Sequence, residues 1–235
     1  MILRAFLLAL GQIGDGRFLR VLALGAGLSL LLLVGLSALS GYLAASYFPD
    51  TITLPGAGEI GGGGIAVGIG VFAVVLGLSV FLMMPVAALF CGFFTDRVAD
   101  AVEDRHYPGL PPTPGQSFGD SLVGSVNFFG VLVAVNAVAL LLYVLVGPFA
   151  PILFWAVNGY LLGREYFEMA AARHLGRSGA KALRKSAPGT VFLAGCLMAA
   201  PLSVPFVNLL IPVFGAATFT HLFHMMTGRA PVRGH

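Results

Sequence analysis

Hydrophobic residues run along this chain in long uncharged stretches, separated by short polar or glycine-rich breaks. Two stretches, residues 21–47 and 65–94, are each long enough for a membrane-spanning helix, which needs about 20 apolar residues. Residues 1–20 mix arginines with large apolar side chains, a pattern typical of an amphipathic helix that lies in the membrane interface. The pattern therefore predicts an interfacial helix followed by two spans.

Two further apolar regions, 121–163 and 187–226, are interrupted by prolines. Proline lacks a backbone N–H and clashes with the preceding turn, so it bends or ends a helix. We predict two proline-bent helical hairpins that together form a weak internal repeat. Broken hairpins at comparable places in a chain are typical of a transport site. The alternative is that both regions are kinked helix pairs that fill a helix bundle, since proline is common in membrane helices for packing reasons. The breaks are Pro148 and Pro151 in the first region and Pro201 and Pro205 in the second.

The charged residues between these regions indicate the topology. Residues 164–186 hold six Lys and Arg against two acids, so the positive-inside rule places this basic segment in the cytoplasm. Residues 48–64 are acidic and glycine-rich and are expected to form an exposed loop on the other side. Residues 95–120 are predicted to be a cytoplasmic amphipathic helix followed by a proline-rich linker. Both termini are basic, which predicts a multi-pass membrane protein with cytoplasmic amino and carboxyl ends.

Composition supports the membrane class. Hydrophobic residues make up 58% of the chain, charged residues only 10%, and the mean hydropathy is +0.94, whereas a soluble domain carries roughly a quarter charged residues. We expect an all-α integral membrane protein with a single membrane domain over residues 1–235. The net charge of +3 comes from clustered Lys and Arg, so no nucleic-acid partner is expected.

Few residues suggest catalytic or metal chemistry. The chain has no Gly-x-x-x-x-Gly-Lys-Ser/Thr motif, so transport would be passive, ion-coupled or energised by a partner. His221 and His224 have a spacing that can bind metal, but no carboxylate or cysteine is near them in sequence. The acids of residues 96–104 are expected to form a solvated face, and His174 to lie at the surface. No enzymatic activity, metal or cofactor is expected.

The residues before the first span have the features of an anion site. Gly16, Arg17 and Arg20 lead into the helix, and a helix N-terminus offers free N–H groups and a favourable dipole to an anion. Arginine adds charge and forked donors. The alternative is that both arginines contact anionic lipid headgroups and set the topology. Asn158 and Asn208, each just past a proline bend, are candidate path-lining residues.

Four stretches of the chain resemble the CysZ-type sulfate permeases and the wider superfamily that includes the etoposide-induced membrane proteins. The most specific is the block Val-Pro-Phe-Val-Asn208-Leu-Leu-Ile-Pro212-Val-Phe-Gly215-Ala-Ala-Thr218. The others are Gly159-Tyr-Leu-Leu-Gly-Arg-Glu-Tyr-Phe-Glu168, Met84-Pro85 ahead of an acidic amphipathic helix, and Arg17-Phe-Leu-Arg20. They occur in the family's order along almost the whole chain.

This resemblance implies two long membrane helices and two hairpins that penetrate only partly, although their short limbs permit full crossing as well. It also implies a homo-oligomer and sulfate uptake that feeds cysteine biosynthesis. In that family a Gly-Leu/Ile-Arg-Arg turn before the first long helix is associated with sulfate. Here Arg20 matches the second arginine, and Leu19 stands where the first would be.

The sequence therefore favours an inner-membrane anion permease. Its expected partners are sulfate or a similar small anion and membrane lipids. The alternative is a non-transporting membrane scaffold or lipid-binding protein of the same superfamily.

Overall fold

The regular structure of the described residues is helical apart from one short β-hairpin. The computed structural model describes residues 1–54, 58–92, 94–111, 113, 130–131, 133–143, 145, 147–203, 207 and 210–232. Its helices and strands are α1 (Ile2–Gly11), α2 (Gly16–Tyr47), β1 (Thr51–Leu54), β2 (Gly58–Gly61), α3 (Gly63–Gly92), α4 (Thr95–His106), α5 (Val133–Tyr143), α6 (Ala150–Ser186), α7 (Pro188–Ala199) and α8 (Ile211–Met226). Short 3₁₀ turns, Gly147–Phe149 and Ala200–Ser203, precede α6 and follow α7.

The loop expected over residues 48–64 contains the β-hairpin. β1 and β2 pair antiparallel, with Thr51 opposite Gly61 and Thr53 opposite Glu59. Thr and Ile favour the extended conformation of β1. Eight residues of the expected exposed loop therefore form regular strands that the sequence analysis did not predict. The chain between the strands lies outside the described residues.

Two compact units make up the chain. The smaller unit, residues 22–93, contains most of α2 together with β1, β2 and α3. The larger unit consists of residues 1–21 and 94–235 and contains α1, the first residues of α2 and the remaining helices.

In the smaller unit, α2 and α3 are long and apolar enough to cross a membrane. Their most apolar windows have a mean hydropathy of 2.3, and only 28% and 22% of those windows are buried within the protein. The two helices pack closely through small residues, as is common between helices in lipid. A Cβ added to Gly68 would lie 2.8 Å from the Gly41 carbonyl oxygen, and Ser29 Oγ donates a hydrogen bond to the Met83 carbonyl over 3.2 Å.

The central element of the larger unit is α8. It is buried from Ile211 to His224, and α1, α4 and α6 all pack against it. Phe6 of α1 meets Phe214 edge-on with ring centroids 4.9 Å apart, a favourable aromatic geometry. A helix that is apolar on most of its faces is stable only when it is enclosed, and this enclosure places the two histidines of α8 in the interior.

α6 and α7 form an antiparallel pair joined by a tight turn at Ala187. α6 is continuous through residues 163–164, the predicted end of the first hairpin, and is kinked at Gly176, where φ is +66°. Glycines allow the two backbones to touch. A Cβ added to Gly163 would lie 2.5 Å from the Val191 carbonyl oxygen, and one added to Gly195 would overlap the Gly159 carbonyl oxygen.

In the two predicted hairpin regions, the prolines that the structure describes lie at helix ends. Pro148 and Pro201 occupy the two 3₁₀ turns, while Pro151 and Pro212 lie in the first turns of α6 and α8. These positions suit proline because the first turn of a helix has no acceptor for its N–H. Pro205 lies outside the described residues. Partial or full membrane penetration of the two hairpins stays a prediction.

Candidate functional site

The residues predicted to bind an anion lie in the first turns of α2. Asp15 precedes this helix, and its Oδ1 accepts the backbone N–H of Arg17 over 2.9 Å. The Arg17 guanidinium donates to Asp104 Oδ2 of α4 over 2.6 Å, and both side chains are more than half exposed. Arg20 is also exposed, and its spacing of three residues places it beside Arg17 on the helix surface. The structure thus places Gly16, Arg17 and Arg20 together in the first turns of α2, and Arg17 has two carboxylates of the chain as its neighbours.

The structure describes one of the two asparagines predicted to line a path. Asn158 is half-buried on α6, and its Nδ2 donates to the Phe154 carbonyl over 2.8 Å within the same helix. Asn208 lies outside the described residues. The role of both in a path stays a prediction.

A buried arginine connects α6 to the acidic face of α4. The Arg173 side chain is only 4% exposed and pairs with three acids of α4. Its Nη1 lies 2.9 Å from Asp96 Oδ1, and its Nη2 contacts Asp100 Oδ1 and lies 3.5 Å from Glu103 Oε2. The expectation of a solvated acidic face holds for Asp96, Asp100 and Asp104, whose side chains are more than half exposed. It was wrong for Glu103, which is buried and pairs with an arginine of another helix.

Two histidines meet the buried carboxylate at the same oxygen. His174 Nε2 of α6 lies 2.8 Å from Glu103 Oε1, and His224 Nε2 of α8 lies 3.1 Å from it. Burial alone would raise the pKa of Glu103, but the hydrogen bonds of both histidines and the charge of Arg173 outweigh burial and lower this pKa to about 2. Glu103 is therefore ionised at neutral pH. We call Glu103, Arg173, His174 and His224 the Glu103 cluster.

The Glu103 cluster has the donor atoms of a metal site. Glu103, His174 and His224 each offer one ligand atom, and these atoms lie within 4.8 Å of one another. One carboxylate and two imidazoles form a common zinc set. Sequence inspection found no carboxylate near His224, because Glu103 is 121 residues away along the chain.

Neighbouring arginines favour hydrogen bonding over metal binding in this cluster. Arg229 Nη1 lies 3.2 Å from His224 Nδ1, and a guanidinium can only donate, so Nδ1 must accept. The neutral ring then carries its proton on Nε2 and donates it to Glu103. A metal on Nε2 would instead require Nδ1–H to face the guanidinium, whereas metal-bound histidines usually donate this proton to an acceptor. The arrangement joins α4, α6 and α8 as a buried ion network.

A second histidine pair continues the polar interior towards the carboxyl terminus. The Tyr107 hydroxyl lies 3.1 Å from His221 Nδ1, and the His106 and His221 rings meet with centroids 4.9 Å apart. Val232 N–H donates to the His106 carbonyl over 2.9 Å. These contacts tie the end of the chain to α4 and α8. His221 and His224 are both fully buried.

Comparison with known proteins identifies one family. A family model described as sulfate transporter CysZ/etoposide-induced protein 2.4 matches residues 5–212. No curated protein and no solved structure matches the chain significantly. The family match covers most of the chain and confirms the resemblance found in its sequence motifs.

Proposed function

Because the chain belongs to the sulfate transporter CysZ/etoposide-induced protein 2.4 family, we propose that it is a membrane permease for a small anion, with sulfate as the substrate. The family match is the observation that carries this proposal. Two helices that are apolar enough to span a membrane support it. We further propose an inner-membrane homo-oligomer with cytoplasmic termini, no enzymatic step, and uptake that supplies sulfur for cysteine biosynthesis.

Gly16, Arg17 and Arg20 are the proposed anion ligands. The ion pair between Arg17 and Asp104 lies at the surface, and such pairs contribute only about 0–1 kcal/mol. A sulfate dianion can therefore replace the Asp104 carboxylate at little cost. Arg20 adds a second exposed guanidinium one helical turn along. Asp15 and Asp104 occupy the backbone N–H and the guanidinium of Arg17 when sulfate is absent.

We expect Arg17→Gln and Arg20→Gln each to weaken sulfate binding by about tenfold, because each removes a charge-assisted hydrogen bond. Asp104→Asn should act in the opposite direction and tighten binding by up to about fivefold, since it removes the competing carboxylate. The measurement is sulfate binding to purified protein, with phosphate and chloride as competitors, followed by labelled sulfate flux into proteoliposomes.

Lys181→Gln is the matched control, because Lys181 is an exposed cation of the same unit on α6. It should leave sulfate binding unchanged. Folded Arg17→Gln and Arg20→Gln proteins that bind sulfate normally would contradict the assigned ligands. Wild-type protein with neither sulfate binding nor flux would contradict the permease proposal and favour the scaffold or lipid-binding alternative.

A further inference from the structure

A cleft of about 330 Å³ opens beside the turn between α6 and α7. Two arginines of α6, Arg164 and Arg184, line it together with Gly189 near the start of α7. Both arginine side chains are largely buried, at 10% and 16% exposure. Apolar groups complete the wall, among them Tyr160, Val191 and Phe192. The cleft therefore combines buried positive charge with an apolar surface.

The two arginines share one carboxylate. Arg184 Nε donates to Glu168 Oε1 over 2.6 Å, and Arg164 Nε lies 3.6 Å from the same oxygen. Both contacts use Nε. The Nη atoms of each guanidinium, which carry four N–H donors, make no hydrogen bond with Glu168. Burial, and to a lesser extent the charge of Glu168, raises the pKa of the neighbouring Glu165 to about 7, so that carboxyl is partly neutral at physiological pH. The cleft thus has more positive than negative charge.

The start of α7 adds backbone donors to the same cleft. Ala187 occupies the N-cap and no side chain caps the helix. Val191 N–H makes the first bond of the helix, to the Ala187 carbonyl over 3.2 Å, so the amides of Gly189 and Thr190 precede the intrahelical ladder. A Cβ added to Gly189 would meet no atom within 4 Å. Open space therefore lies beside this helix end, where an anion is favoured.

We propose that this cleft binds the phosphate group of an anionic phospholipid. Arg164, Arg184 and the first amides of α7 surround the phosphate, and the apolar wall lies along the acyl chain. The lipid is favoured over a free anion because the volume equals about ten water molecules and because exposed apolar side chains flank the cleft. These are Tyr160, Phe192 and Leu193, which are 41%, 37% and 58% exposed. The lipid site does not depend on sulfate transport.

The test uses full-length protein purified in a neutral detergent and stripped of lipid. It is titrated separately with phosphatidylglycerol, phosphatidylcholine and inorganic phosphate, and binding is read by native mass spectrometry and by the shift in melting temperature. We expect phosphatidylglycerol to bind and to raise the melting temperature. Phosphatidylcholine should bind at least about tenfold more weakly, because its choline cation faces the arginines.

Two variants test the cleft in different ways, one by removing a positive charge and the other by filling space. Arg184→Gln should weaken phosphatidylglycerol binding by about tenfold through loss of a charge-assisted contact. Gly189→Leu should abolish binding, because Gly189 lines the cleft and the added side chain would extend from a Cβ position that no protein atom occupies within 4 Å. Lys185→Gln is the matched control: Lys185 is an exposed cation one residue away that does not line the cleft, and its loss should leave binding unchanged.

Three results would overturn the lipid assignment. The first is equal binding of phosphatidylglycerol and phosphatidylcholine. The second is an equal effect of Arg184→Gln and Lys185→Gln, with Gly189→Leu binding lipid normally. The third is inorganic phosphate that binds alone and displaces phosphatidylglycerol, which would make the cleft a free-anion site. Each of these can occur whether or not the protein carries sulfate, so this test is separate from that of the permease proposal.

Discussion

Gly195→Ala should lower the stability of this protein by about 3 kcal/mol or more, one of the largest single effects expected. The added Cβ would overlap the carbonyl oxygen of Gly159 and lie 2.7 Å from the backbone nitrogen of Gly163. Backbone atoms cannot turn aside as a flexible side chain can. α6 and α7 would have to move apart, and contacts along both helices would weaken. In a chain of this length the loss corresponds to a fall in melting temperature of roughly 6–12 °C.

Gly189→Ala is the matched control on the same helix. A Cβ at Gly189 meets nothing within 4 Å, so the substitution should change stability by at most about 0.5 kcal/mol. Both proteins would be melted in detergent and followed by circular dichroism. Equal melting temperatures for the two variants would show that α6 and α7 are farther apart than the structure places them.

The long helices could be located from the sequence because their signal is local. An uncharged apolar run longer than 20 residues is uncommon outside membrane spans, and the runs predicted at 21–47 and 65–94 correspond to α2 and α3. The family could also be recognised from sequence, because its motifs are short contiguous blocks such as the one from Gly159 to Glu168, which lies within the residues that the family model matches. The β-hairpin could not be predicted, since each strand has four residues and β2 begins and ends with glycine, which weakens a strand pattern.

The candidate anion site could be predicted only partly from the sequence. The sequence placed Arg17 and Arg20 in the turn before a span that begins at residue 21, whereas the structure has them inside the first turns of α2, which begins at Gly16. Asp104, the partner of Arg17, is 87 residues away along the chain. Charges three or four residues apart on one helix can be paired from the sequence. No comparable spacing rule exists for charges on different helices.

The Glu103 cluster was missed for the same reason. Its members lie on α4, α6 and α8, and the acids of α4 resemble an ordinary solvated face when that helix is considered alone. His174 falls in a segment rich in lysine and arginine, which suggested a surface position. One signal was present: His221 and His224 lie on a helix with no other polar residues after Thr220 until its end. Buried polar groups require partners, so this pair called for a carboxylate elsewhere in the chain.

Glu103→Gln should destabilise the protein by about 3 kcal/mol at neutral pH, because it removes one partner from a buried ion network. Of its three carboxylate partners, Arg173 would keep Asp96 and Asp100, whose side chains are 62% and 56% exposed. Asp104→Asn is the matched control on the same helix. It breaks an exposed ion pair and should cost at most about 1 kcal/mol.

The pH dependence of stability distinguishes the effect of the Glu103 charge from the effect of its packing. Its pKa falls from the ordinary 4.5 to about 2 in the folded protein, so the folded state holds this carboxylate ionised where the unfolded chain would protonate it. The resulting stabilisation, about 3 kcal/mol, is fully present above pH 4.5 and is lost as the pH falls towards 2. Thermal melts at pH 5 and pH 3 should therefore show a wide gap between wild type and Glu103→Gln that narrows in acid. A gap of equal size at both pH values would mean that packing, and not the charge, accounts for the role of Glu103.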